Sequence, residues 1–138
     1  MSKVSFTLDA QLAADTLAVT DLSLCTVRLM NTTAVPWLVL APQRPDKKEI
    51  IDLNISEQAQ LWKEITAISH VLKDVFNPTK LNVAALGNAQ LHIHVIARFA
   101  NDAAWPQPVW GKVPMEAYLP EVAQERINKI THALNHLS

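Results

Sequence analysis

"QLHIHVIARF", residues 90–99, places two histidines two positions apart in a mainly apolar run. A β-strand sends alternate side chains to opposite faces. Read as a strand, this stretch has one face made of Leu91, Ile93, Val95, Ala97 and Phe99. Its other face carries Gln90, His92, His94, Ile96 and Arg98. The stretch therefore predicts a strand with one core face and one face rich in groups that can do chemistry.

The hydrophobic pattern on either side of this stretch predicts further strands and helices. Residues 24–31 alternate and predict a strand. Residues 34–42 are almost continuously apolar and predict a strand buried on both faces. Residues 79–99 predict two strands joined by a turn at Gly87 and Asn88, since glycine supplies the positive φ that a tight turn needs.

Three helices are predicted. From Ser56, the expected N-cap, to Phe76, apolar residues recur at intervals of three and four: Leu61, Ile65, Ile68, Leu72 and Val75. A terminal helix is predicted over 119–138, with Pro120 in its first turn, and a short helix is predicted to begin within 6–19, with Asp9 in its first turn. The order predicts one α+β domain over residues 1–138. We expect an antiparallel sheet of about five strands, a long helix packed on it and a C-terminal helix beside it.

Composition narrows the class of function. The 138 residues suit one domain, and the formal charge of −1 without a basic block gives no case for duplex nucleic acid or an anionic membrane surface. No apolar run is long enough to span a bilayer. Cys25 is the only cysteine, so no intrachain disulfide forms, which fits the cytoplasmic location that we expect. The two glycines leave no glycine-rich phosphate loop.

The histidine pair has three interpretations. The two imidazoles are satisfied polar groups on a sheet face, or ligands of one metal ion, or a nucleophile and its partner in phosphoryl chemistry. A metal site needs a third and usually a fourth ligand, and Asp102 is the nearest carboxylate downstream. We therefore predict no metal and no cofactor.

"GNAQLHIHVIAR", residues 87–98, resembles the signature of the histidine triad (HIT) superfamily, three alternating histidines followed by two apolar residues. Aligning "HVIAR" with the common ending His-Val-Ile-Pro-Arg puts His92 on the central histidine and Gln90 on the first. A second register starts the triad at His92 and puts Ile96 on the third histidine; we prefer the first because the tail then matches. "PWLVLAPQRPDKKEIIDL" (36–53) and "KLN" (80–82) are also similar to family segments, and "AWPQPVWG" (104–111) resembles a bacterial branch.

The resemblance implies a HIT-like fold, a homodimer and a nucleotide or nucleotide conjugate as ligand. It implies hydrolysis or transfer at an α-phosphate through a covalent nucleotidyl-histidine, with His92 as the nucleophile and no metal. His94, Gln90, Asn82 and Asn88 would position and stabilise the phosphate. Glutamine donates hydrogen bonds but carries no proton charge. The alternative is a non-catalytic nucleotide-binding or interaction protein that lost turnover with the first histidine.

Five other aromatic or charged residues have predicted roles. Trp37 and Trp62 lie in a strand and a helix and are expected in the core. Trp110, with Trp105, lies in a loop, where it either closes over the site or packs against structure. Arg98 is expected to pair with Asp102 or a C-terminal carboxylate in preference to a phosphate.

Overall fold

The structure, a computed structural model, describes residues 6–87 and 90–137. Its elements are α1 (Ala10–Asp15), β1 (Thr16–Asp21), β2 (Cys25–Met30), β3 (Trp37–Pro42), α2 (Ile55–Phe76), β4 (Lys80–Ala84), β5 (Ile93–Arg98) and α3 (Pro120–Asn135), with a 3-10 turn at Ile50–Asp52 before α2. The strands form one open antiparallel sheet in the order β1-β2-β3-β5-β4. The predicted fold class is confirmed.

The two central strands, β3 and β5, are buried on both faces. One sheet face packs against α2 and α3 in a cluster that includes Leu38, Leu40, Ile93, Val95, Leu61, Ile68 and Ile130. The opposite face carries a smaller cluster of Leu12, Met30, Val35, Trp37, Val39, Ile96 and Val109. The core face predicted for residues 90–99 is confirmed from Leu91 to Ala97, and the histidine face is as deeply buried.

Helix α2 begins two residues earlier than its apolar spacing predicts. Asn54, and not Ser56, is the N-cap: its Oδ1 accepts from the Glu57 amide at 2.8 Å, and Glu57 Oε1 accepts from the Asn54 amide at 2.9 Å. This reciprocal pair satisfies two amide groups that would otherwise lack partners. Trp62, predicted to lie in the core, is 55% exposed. No helix in the described part of the chain has the length and apolar character needed to cross a membrane.

A buried carboxylate that the sequence analysis missed joins α2 to the sheet. Glu64 is 4% exposed, and its two oxygens accept from the amides of Leu24 and Cys25 at 2.8 Å each. Burial, followed by the charge of Glu64, raises the pKa of the Cys25 thiol. Cys25 is therefore a protonated, fully buried thiol that packs as a small apolar side chain.

The N-terminal part of the chain contains a strand that the pattern did not predict. Asp9 is the N-cap of α1, not a residue of its first turn, and the helix ends after six residues. From Thr16 the chain continues as β1, an edge strand that pairs with β2 with a register shift between Ala18 and Thr20. That shift disturbs the alternation by which a half-buried strand is recognised.

Strand β5 ends on a buried ion pair. The Nε and Nη2 atoms of Arg98 lie 2.8 and 3.0 Å from the two oxygens of Asp102, as the sequence predicts, and Nη1 donates to Asn82 Oδ1 at 2.7 Å. Arg98 is 1% exposed. Its hydrogen bonds, above all, lower the pKa of Asp102 to about 2.

We predict that Asp102→Asn lowers the free energy of unfolding by about 3 kcal/mol, because it leaves the buried guanidinium without an anion. The matched control is Glu57→Gln, which breaks the more exposed Arg44–Glu57 pair and should cost less than about 1 kcal/mol. The folded pKa of Asp102 lies below its unfolded value of 3.8, so this stability is present above that pH and is lost as the pH falls towards 2. Urea unfolding at neutral and acid pH measures the free energy of unfolding of wild type and of both variants. Equal losses of stability in the two variants would contradict a special role for the buried Arg98–Asp102 pair.

Candidate active site

The main-chain carbonyl of Gln90 fixes the tautomer of His92. That oxygen lies 2.8 Å from His92 Nδ1. A carbonyl only accepts hydrogen bonds, so Nδ1 carries the hydrogen and, in the neutral ring, Nε2 carries the lone pair. The neutral form of His92 therefore presents its Nε2 lone pair, which is the nitrogen form that a nucleophile needs.

Trp37 fixes His94 in the opposite way. The indole Nε1 donates to His94 Nδ1 at 2.9 Å, and an indole nitrogen can only donate. In the neutral ring the hydrogen therefore sits on Nε2. Burial, followed by the proximity of His92, lowers the pKa of His94 to about 4, so the ring is neutral at pH 7 and Nε2 is a hydrogen-bond donor.

The two imidazoles lie side by side with complementary functions. Their centroids are 4.8 Å apart and their planes are inclined at 75°. His92 and His94 are 4% and 3% exposed, so a ligand bound to them is largely shielded from water. Trp110 closes the arrangement, with its ring edge-on at 5.0 Å from His94 and 5.5 Å from Trp37. A nitrogen with a lone pair and an N–H donor thus stand together in an apolar surrounding, where polar interactions are strengthened.

Both histidines line a cavity of about 370 Å³. Its walls come from α1, from β2 and β3, from the residues before β5 and from the segment after Arg98. Most of the lining is apolar: Leu12, Met30, Trp37, Leu86, Val109, Trp110, Val113 and Met115. Gln11 and Asp15 of α1 add an amide and a carboxylate. A largely apolar cavity with a few convergent polar groups is typical of small-molecule sites.

The other predicted site residues have different surroundings. Asn82 Oδ1 accepts from Arg98, and the cavity lining does not include Asn82. Gln90 lies beside a separate crevice of about 100 Å³ that His92 also borders, and its amide contacts the N-terminal segment. Asn88 lies outside the described residues. The structure therefore brings together His92 and His94, while the contacts of Asn82 and Gln90 favour support of the surrounding structure.

Sequence reasoning missed the residue that orients His94. Trp37 is in the core, as predicted, but it also donates the hydrogen bond that sets the tautomer. In the sheet Trp37 is opposite Ile96, and Val39 is opposite His94. Knowledge of this β3–β5 register would have shown that the indole and His94 share a face; composition and periodicity do not contain it.

Comparison with known proteins agrees with the fold. The family model described as HIT domain matches residues 11–101. A histidine triad protein from Bradyrhizobium japonicum is 44% identical, with a TM-score of 0.91 over 94% of this chain and 98% of that one. HIT proteins from Sinorhizobium meliloti 1021 and Marinobacter aquaeolei VT8 are each 41% identical, with TM-scores of 0.92 and 0.91 over 95% and 96% of this chain and 98% of each of theirs. None of the curated proteins matches the chain.

We predict that Trp37→Phe lowers kcat for the α-phosphate reaction that the family resemblance implies by about 10- to 100-fold. The reason is that His94 loses the donor that keeps its hydrogen on Nε2. The control is Trp110→Phe, which keeps a ring against His94 and leaves the Trp37 hydrogen bond in place. It should change kcat less than about threefold. Steady-state kinetics on both variants, with thermal unfolding as a check on folding, measures the difference. An equal loss of kcat in the two variants would show that aromatic packing against His94, and not its tautomer, determines the rate.

Proposed function

Because the chain belongs to the HIT family, we propose that it acts at the α-phosphate of a nucleotide conjugate, such as a phosphoramidate, through a covalent nucleotidyl-histidine on His92. Proteins of this family are in general nucleotide hydrolases or transferases, so membership implies that kind of function. The observation that carries the finer proposal is the pair of opposite tautomers: an unprotonated Nε2 on His92 beside an Nε2–H on His94.

In the first step of this proposal His92 Nε2 attacks the α-phosphorus. The bond from phosphorus to the leaving group breaks, and the leaving nitrogen takes the electron pair and a proton from solvent. A P–Nε2 bond forms, and the main-chain carbonyl of Gln90 stabilises the positive charge that develops on the imidazole, because it accepts from Nδ1–H. Holding the ring at a fixed orientation before attack also removes an entropic cost.

His94 stabilises the phosphoryl oxygens in both steps. Its Nε2–H donates to a non-bridging oxygen whose negative charge grows in the transition state. In the second step water, or another acceptor, attacks phosphorus, the P–Nε2 bond breaks and His92 is regenerated; with water the acceptor oxygen loses its proton to solvent and a nucleoside monophosphate leaves. Because its pKa is lowered to about 4, His94 acts as a neutral donor throughout the neutral pH range.

The sequence also predicts phosphate contacts for Asn82, Asn88 and Gln90. The contact by Asn88 stays a prediction. The hydrogen bond of Asn82 to Arg98, and those of Gln90 to the N-terminal main chain, support the proposal that neither side chain touches the reacting phosphate.

A second candidate is nucleotide binding without turnover. Gln90 occupies the position that the resemblance assigns to the first histidine, and an amide supplies no acid to a poor leaving group. A covalent adduct separates the two candidates, since a binding protein forms none.

The test is release of a fluorogenic amine from an adenosine phosphoramidate by wild type, His92→Ala and His132→Ala. His132 lies on α3 and is the matched control, away from the cavity. We predict that His92→Ala loses at least about 10³-fold in kcat/KM, that His132→Ala matches wild type, and that rapid quench of wild type traps a nucleotidyl adduct by mass. AMP binding by wild type without turnover or adduct would favour the binding protein. Equal turnover in all three proteins would contradict the assignment of His92.

We also propose that the chain forms a homodimer in which strands of two protomers extend one sheet. β4 ends the sheet, and Val83 on it is 45% exposed beside Trp62 of α2, which is 55% exposed. The two residues border one groove, and an uncovered strand edge with apolar neighbours is a pairing surface.

Sedimentation should give a dimer mass for wild type and for Ile51→Lys, at an exposed position elsewhere, and a monomer mass for Val83→Lys. A monomeric wild type, or dimeric Val83→Lys, would contradict this interface.

A further inference from the structure

The side chain of Gln90 connects the histidine segment to the N-terminal segment of the chain. Its Oε1 accepts from the Asp9 amide at 2.8 Å, and its Nε2 donates to the Thr7 carbonyl at 2.9 Å. These two main-chain groups flank Leu8. In an extended segment they point to the same side, so the side-chain amide takes the place of a neighbouring strand.

An amide suits this contact better than an imidazole. Glutamine carries its acceptor and its donor on the same end of the side chain, where the C=O and one N–H point in nearly the same direction, whereas the two ring nitrogens of histidine point away from each other. Only the amide can meet both the Asp9 N–H and the Thr7 carbonyl with one side-chain end. The glutamine is therefore matched to a structural task at this position.

The segment that Gln90 holds leads directly into α1. The main chain of Asp9 is bound by Gln90, and its carboxylate caps the helix, accepting from the amides of Gln11 at 3.0 Å and Leu12 at 3.2 Å. With six residues, α1 is too short to be stable by its own hydrogen bonds. Its position depends on tertiary contacts, of which the buried Leu12 supplies one at its centre and Gln90 supplies one at its start.

α1 is a wall of the cavity that contains the histidines. Three of its residues, Gln11, Leu12 and Asp15, line that cavity, and Gln11 Nε2 donates to Asp15 Oδ1 at 2.9 Å. The polar wall atoms on this side of the cavity therefore depend on where α1 sits. A chain of contacts runs from Gln90 through Asp9 to these three residues.

We propose that Gln90 is a positioning residue: it holds α1 as the substrate-facing wall of the cavity and sets affinity for the ligand, without touching the reacting phosphate. The proposal rests on the proposed function for the identity of the ligand. Its structural part, the dependence of α1 on the Gln90 amide, stands on the hydrogen bonds alone.

The test compares Gln90→Ala, Gln90→Glu and Gln90→His with wild type by amide hydrogen exchange, by AMP binding in calorimetry and by steady-state kinetics. In Gln90→Ala the amides of residues 9–13 should exchange at least about tenfold faster, while those of β5 stay protected. The Kd for AMP and the KM should rise about tenfold, with kcat within about threefold of wild type and an unchanged pH profile.

The conservative variants sharpen the result. Gln90→Glu keeps an acceptor for the Asp9 amide and loses the donor to Thr7, so its exchange rates and its Kd should lie between those of wild type and Gln90→Ala. Gln90→His should behave like Gln90→Ala, because one end of an imidazole cannot meet both main-chain groups.

Two outcomes would overturn the proposal. Unchanged exchange in residues 9–13 of Gln90→Ala would show that α1 does not depend on this amide. A kcat lowered about 100-fold with unchanged Kd and exchange would place Gln90 on the reacting atoms. Wild type that neither binds AMP nor turns over the phosphoramidate would refute the proposed function, and exchange would then decide the structural part by itself.

Discussion

The hydrogen bond from Trp37 to His94 determines what the candidate site can do. An indole N–H has no acceptor form, so it forces Nδ1 of His94 to accept and leaves the hydrogen on Nε2. The bond is buried, where an unmet polar group costs the most, and protonation of His94 would break it. The tautomer thus follows from one contact between two strands, while burial and the proximity of His92 keep the ring neutral.

That contact depends on the central position of β5. Because β3 and β4 cover its two edges, β5 has no free edge, and clusters on both faces bury its side chains. At its far end Arg98 joins Asp102 and Asn82, which fixes the strand against β4 and the following loop. His94 lies within this rigid strand, so its ring is placed by the sheet, while His92 lies one residue before the strand and its ring is held by the main-chain carbonyl of Gln90.

The sequence predicts the elements whose periodicity is strong. Burial requires apolar residues at regular spacings, so it can be read from the local sequence. Examples are the apolar stripe of α2, the continuous apolar run of β3 and the alternation from Leu91 to Ala97. Arg98 could be paired with Asp102 because the two are four residues apart and opposite in charge. The histidine pair and the family resemblance pointed to the site, and the structure places both rings in one cavity.

What the sequence did not predict depends on long-range contacts. Trp62 was expected in the core although it lies outside the apolar stripe of α2, and the packed helix leaves it 55% exposed. The partner of Trp37 depends on the β3–β5 register, and the partners of Gln90 are more than eighty residues away. β1 was missed because a register shift interrupts its pairing pattern. Local propensity contains no information on such pairings.

Nitrogen-15 NMR of the histidine rings tests the opposite tautomers most directly, with signals assigned by their loss in His92→Gln and His94→Gln. We predict that the hydrogen of the neutral His92 ring lies on Nδ1 and that the hydrogen of His94 lies on Nε2. We also predict that His94 stays neutral as the pH is lowered to about 5, since its pKa lies near 4. The same tautomer on both rings, or protonation of His94 between pH 6 and 7, would contradict the account.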